Sequence, residues 1–97
     1  MARVELSKAA VEDLDTLIRT HSLPPDTRLR VRRSLRHLDR FPRMGAELSG
    51  RWQGMRFLLG PWRWMILVYV FLEDEDRVVI LTVQDGRSST AAAAERL

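Results

Sequence analysis

The stretch from Gly54 to Arg87 limits what this chain can fold into more than any other. Gly60-Pro61 is a turn dipeptide, and Glu73-Asp74-Glu75-Asp76 marks a solvated reversal. Between these breaks lie three runs rich in β-branched, aromatic and aliphatic residues, which read as strands. Trp62–Leu72 is apolar on both alternating faces: Trp62, Trp64, Ile66, Val68, Val70 and Leu72 on one, Met65, Leu67, Tyr69 and Phe71 on the other. Such a strand is central and covered on both sides. Arg63 interrupts the second face. Burying a guanidinium is costly, so Arg63 is expected at the wet end of the strand or against an anion.

A chain of 97 residues makes one domain, 1–97, and 45% hydrophobic residues suffice for one modest core. Cysteine is absent, which removes disulfides and thiolate metal sites and fits a reducing compartment. The N-terminal Met-Ala-Arg-Val-Glu-Leu-Ser has no apolar signal region, and the run Trp64–Leu72 is too short to cross a bilayer as a helix. The expectation is a soluble, cytoplasmic protein with no membrane partner. The net charge is only +3, yet fifteen of the sixteen basic residues are arginine. A GC-rich genome favours arginine codons, so clustering and not the total must identify arginines that bind phosphate or carboxylate through their two-pronged fork.

Ahead of the central stretch, Arg3–Leu6 alternates and reads as a short strand. Ser7 is placed to cap a helix with Val11, Leu14, Leu17, Ile18 and His21 on its apolar side and Glu12, Asp13, Asp15 and Arg19 opposite. Glu12 and Asp13 are expected in its first turn, where the helix dipole favours anions. His21-Ser22-Leu23-Pro24-Pro25 ends that helix, and Pro24 or Pro25, helped by Asp26, is suited to open a second helix with Val31, Leu35 and Leu38 as its stripe and Phe41-Pro42 as its stop. Arg43–Gly54 reads as a loop, and the tail Ser88–Leu97 as a short helix or frayed end. The result is an α+β fold: an N-terminal strand, an antiparallel helical hairpin, then a three-stranded antiparallel meander, β-α-α-β-β-β. The first strand joins a sheet edge, the helices cover one face, and the other face is left as a free surface.

Arg56 and Arg63 flank the Gly60-Pro61 turn, so pairing across it is expected to bring them within reach of each other, with Arg87 following the last strand. Clustered guanidiniums repel, and such a group usually answers an anion. The plainer alternative for Arg63 is a salt bridge to a nearby acid. The arginines of the second helix read as a solvated face or as a phosphate-backbone contact. Trp52 reads as a loop aromatic over the core or as a stacking platform for a base. His21 and His37 lie on separate helices without acidic or cysteine neighbours at ligand spacing, so neither is taken as a metal ligand. The sequence carries no phosphate-binding loop, dinucleotide fingerprint or nucleophile elbow, and no cofactor is expected.

The order of elements, together with Leu48-Ser49-Gly50-Arg51-Trp52, Met55-Arg56-Phe57-Leu58, Trp62–Tyr69 and Val78–Val83 followed by Asp85-Gly86-Arg87, resembles the RelE/ParE superfamily of bacterial type II toxin–antitoxin toxins. The similarity runs from Arg3 to Ser89. It implies a cognate antitoxin as partner and a toxin–antitoxin hetero-oligomer. It also implies one of two activities. RelE-like members cleave mRNA on the ribosome without a metal: the 2′-hydroxyl attacks the neighbouring phosphate while basic side chains stabilise the crowded anionic transition state. ParE-like members bind DNA gyrase and lack the nuclease residues. A third possibility is a degenerate member that only binds its antitoxin. For the ribosome-dependent mRNA endoribonuclease, the first expectation, the resemblance points to Arg56, Arg63 and Arg87 at the scissile phosphate. It adds Glu47 as a base and Arg51, Trp52 and Arg43 as RNA contacts. The family's C-terminal Tyr or His-Tyr pair is missing here, since Ser88, Ser89, Thr90 and Ala91 follow Arg87.

Overall fold

A computed structural model of the chain describes residues 1–87; the expectation for the tail beyond Arg87 lies outside the described residues. The elements in order are β1 (Arg3–Leu6), α1 (Lys8–Thr20), α2 (Thr27–Ser34), β2 (Ala46–Glu47), β3 (Arg56–Leu59), β4 (Met65–Leu72) and β5 (Arg77–Asp85), with short 3₁₀ turns at Arg36–Asp39, Gly50–Trp52 and Glu73–Glu75. They form one five-stranded sheet in the order β1-β5-β4-β3-β2. β1 runs parallel to β5 at one edge, and the other neighbours pair antiparallel. The meander, the edge position of β1 and the helical hairpin agree with the sequence expectation, and β4 is internal as its two apolar faces require.

Local chemistry explains the helix boundaries. The Ser7 side chain accepts the Ala10 N–H at 3.0 Å and caps α1. Because α1 begins at Lys8, Glu12 and Asp13 lie beyond its first turn, contrary to expectation. Asp13 instead turns to the sheet, where it accepts the Thr82 hydroxyl at 2.5 Å and the Val83 N–H at 3.3 Å. α2 is shorter than its apolar stripe suggests. It ends at Ser34 and tightens into the 3₁₀ turn that carries Leu38 inward. Asp26 precedes α2 but makes no side-chain capping bond, whereas Thr27 is fully buried and donates to the Pro24 carbonyl at 2.6 Å.

The main core lies between sheet and helices. Ala10, Leu14, Val31, Leu35 and Leu38 meet Met65, Leu67, Tyr69, Val78, Ile80 and Val83 there. A second cluster occupies the other face. Ile66 and Val68 are covered by Leu48, Trp52, Met55 and Phe57, so the segment after β2 folds over part of the face expected to be free. Eight apolar side chains on alternating faces of one strand leave no side open to water, and the loop supplies what the helices cannot reach. A register shift at Val68/Tyr69 interrupts the β4–β5 ladder.

β4 starts at Met65 and not at Trp62. Trp62–Trp64 belong to the turn, which closes through bonds from Gly60 N–H to the Met65 carbonyl and from Met65 N–H to the Trp62 carbonyl. Arg63 is exposed on that turn, at the wet end as expected.

Candidate functional site

The arginines expected to converge lie at two ends of the sheet. Arg56 pairs with Tyr69, while Leu59 pairs with Ile66, next to the turn that carries Arg63. Three residues of strand, at ~3.4 Å each, put roughly 10 Å and the turn itself between Arg56 and Arg63. They are not cross-strand neighbours, because the turn is longer than Gly60-Pro61 alone. Arg87, beyond the Met65–Asp85 pair, does reach the Arg63 end.

At the far end, Arg56 is occupied by its own chain. It donates to the Arg43 carbonyl at 3.1 Å, the Gly45 carbonyl at 2.9 Å and Glu47 Oε1 at 2.9 Å. Glu47, expected as a base, is exposed and holds the other side of that ion pair. Tyr69 completes the lock. Its buried hydroxyl accepts the Gly45 N–H and donates to the Pro42 carbonyl, both at 2.9 Å. Burial raises the Tyr69 pKa against the lowering effects of the Gly45 N–H and the Arg56 charge, so the phenol keeps its proton for Pro42. Arg43 pairs with Glu73 at 2.6 Å and lies over the Phe71 ring at 5.0 Å. Trp52 is half-buried against Ile66 and Val68, and Arg51 is exposed beside it.

At the near end, rings and guanidiniums form a ladder. Trp62 stacks on Trp64 with centroids 6.0 Å apart, and His21 stacks on Trp64 at 4.8 Å. Arg30 lies over Trp62 at 5.8 Å and Arg87 over Trp64 at 4.9 Å. Beneath the ladder, Asp85 receives Arg87 Nε and Nη2, each at 2.9 Å, the Arg87 backbone N–H, and His21 Nε2 at 3.0 Å. His21, expected on the apolar side of the first helix, joins that helix to the end of β5. Its other nitrogen meets Thr20 Oγ1 at 2.8 Å, so both ring nitrogens are engaged. This pairing joins residues 64 positions apart. Only the placement of a histidine at the end of one element and an aspartate at the end of another hints at it in sequence.

The Arg87 hydrogen bonds, with those from the Arg87 N–H and His21, outweigh burial and hold the Asp85 carboxyl well below the usual carboxylate range. A carboxyl depressed in the fold stabilises it at every pH above the unfolded value near ~3.9, and that contribution is lost as pH falls below this value. The expected result is that acid unfolding followed by circular dichroism loses less stability between neutral pH and about pH 3 in Arg87→Ala than in the parent. Parallel acid limbs would refute the assignment.

Among the described residues, no group of His, Asp and Glu could hold a metal ion, and no helix is long and apolar enough to cross a membrane.

Comparison with known proteins agrees with this architecture. The fold is similar to the toxin–antitoxin complex RelBE2 from Mycobacterium tuberculosis, at 27% identity over 87% of this chain and 96% of that chain, with a TM-score of 0.65. The chromosomal ParDE system from P. aeruginosa gives 16% identity over 88% and 96%, TM-score 0.67. The E. coli toxin RelE, as an arginine-to-alanine double mutant in the free state, gives 15% over 99% and 96%, TM-score 0.67. The last two likenesses concern the fold alone. No curated protein matches the sequence significantly. Residues 4–89 match the family described as the ParE toxin of the type II toxin–antitoxin system parDE. A match across nearly the whole sequence, on the same arrangement of strands and hairpin, means that the chain belongs to the ParE toxin family of type II toxin–antitoxin systems.

Proposed function

We propose that this toxin acts by gripping a protein target, DNA gyrase as for the ParE-like members of the superfamily, and that it does not cut RNA. The observation that carries this reading is the state of Arg56, whose guanidinium is taken up by two backbone carbonyls and Glu47. A phosphate there would have to displace all three. Among the described residues, the carboxylate expected as a base, Glu47, is held in the ion pair with Arg56. Arginine does not release a proton near neutral pH, and His21 has both nitrogens engaged. The exposed Arg63 beside the half-buried Trp62 and Trp64 forms a cationic and aromatic end suited to a protein partner, since Trp and Arg are over-represented among residues that anchor interfaces. A cognate antitoxin is the second partner, by analogy with the RelBE2 and ParDE systems.

The test is a gyrase supercoiling assay run beside primer extension on translated mRNA. The expected result is loss of supercoiling with no new 5′ ends. New 5′ ends that disappear in Arg63→Ala, with gyrase unaffected at excess protein, would overturn the reading.

A further inference from the structure

The segment joining the 3₁₀ turn to β2 is locked yet displays apolar side chains to water. Phe41 is 61% exposed and Met44 50%. A bond from Met44 N–H to the Phe41 carbonyl at 3.1 Å closes a turn between them, and Phe41, Pro42, Arg43 and Met44 line a shallow depression of about 350 Å³. Holding each residue in one conformation opposes folding. Here Tyr69 and Arg56 fix the backbone at Pro42, Arg43 and Gly45. The side chains that this order presents contribute little to the core.

A rigid loop bearing an aromatic and a methionine is the form a binding anchor takes, because the ordering is completed before the partner arrives. The surround indicates the partner's chemistry. Arg36 and Arg40 are exposed and have no acidic partner among the described residues, whereas Arg43 is already paired with Glu73, and the whole chain carries net charge +3. Against them on this segment stands the half-buried Asp39. A second copy would set these arginines against their own kind. An acidic, apolar segment complements them.

We infer that Phe41 and Met44 anchor an acidic, apolar segment of the antitoxin, with Arg40, exposed beside Phe41 and unpaired among the described residues, as its charged contact. The inference rests on the proposed role as an antitoxin-controlled toxin, but not on the identity of its target. The anchor adjoins the Tyr69–Leu72 end of β4 and Glu73 just beyond it, away from the Arg63 turn.

The experiment titrates purified antitoxin into the intact toxin by calorimetry. Phe41→Ser/Met44→Ser should bind about 30-fold more weakly, the scale of an interface hot spot. Both positions face solvent, so the melting temperature should match the parent's. Arg40→Glu should weaken binding by about tenfold and flatten its salt dependence. In the supercoiling assay the double variant should still inhibit gyrase but no longer be neutralised by stoichiometric antitoxin. Affinities within threefold of the parent in both variants would overturn the inference, as would loss of gyrase inhibition with antitoxin affinity intact. If the parent itself leaves gyrase untouched, the target reading fails, while the calorimetry still decides the anchor.

Discussion

Gly45→Ala should lower stability by about 3 kcal/mol or more, among the largest effects available to a single methyl group in this chain. A Cβ there would lie 2.6 Å from the Phe57 carbonyl oxygen and 2.7 Å from both Tyr69 Cε1 and Tyr69 Oη. The first is backbone in β3 and the others belong to a fully buried ring, so none can move aside cheaply. For a domain of this size, each kcal/mol shifts the melting temperature by about 4–8 °C, so a drop of more than ~12 °C is expected by thermal denaturation. Tyr69→Phe should cost about 1–3 kcal/mol by itself, because the Gly45 N–H and Pro42 carbonyl lose their partner. Adding Gly45→Ala to Tyr69→Phe should then cost less than in the parent, though still measurably, since the Phe57 carbonyl remains in place. A parent-like melting temperature for Gly45→Ala would mean that the β2 segment is not held as described.

Arg56→Ala should destabilise by about 1–2 kcal/mol, because the partly buried Gly45 carbonyl, the exposed Arg43 carbonyl and Glu47 lose a charged donor together. Arg56→Lys should recover only part of this, since one ammonium cannot reproduce the fork that spans three acceptors. Arg63→Ala, on an exposed turn, should leave the melting temperature unchanged. This contrast separates two roles that an activity assay alone would confuse. A residue needed at a scissile phosphate would lose function at unchanged stability. A residue that braces the loop loses stability first, and the binding of antitoxin to the Phe41–Met44 anchor should weaken with it. Equal melting temperatures for Arg56→Ala and the parent would return Arg56 to the list of chemical groups.

The parts of the fold legible in sequence were those written locally. Ser7 ahead of an amphipathic stretch, paired prolines between helices and the four-acid reversal each act within a few residues. The two-sided apolar run placed β4 in the middle of the sheet for the same reason. Register was less legible. Treating Gly60-Pro61 as the whole turn made Arg56 and Arg63 neighbours; moving Trp62–Trp64 into the turn put them at opposite ends of β3. The hydrophobicity of Trp62 and Trp64 misled here, because their rings pack on each other and on His21 rather than within a ladder of strands. The loop from Leu48 to Met55 was opaque for another reason. Its leucine, tryptophan and methionine are too irregularly spaced to show a period, yet they cover Ile66 and Val68. Contacts such as His21 with Asp85 and Asp13 with Thr82 join distant segments, and no local pattern announces them.

The place of β5 has a consequence for synthesis on the ribosome. The strand made last among the described elements lies between the one made first and β4, and α1 rests on it. Until residue 85 has emerged, a nascent chain holds a helical hairpin and a strand pair without the ladder that joins them, and closing so long a loop is slow. A nascent chain that stops short of β5 therefore lacks the strand that ties β1 and α1 to the rest of the sheet, and the fold closes only once that strand is available.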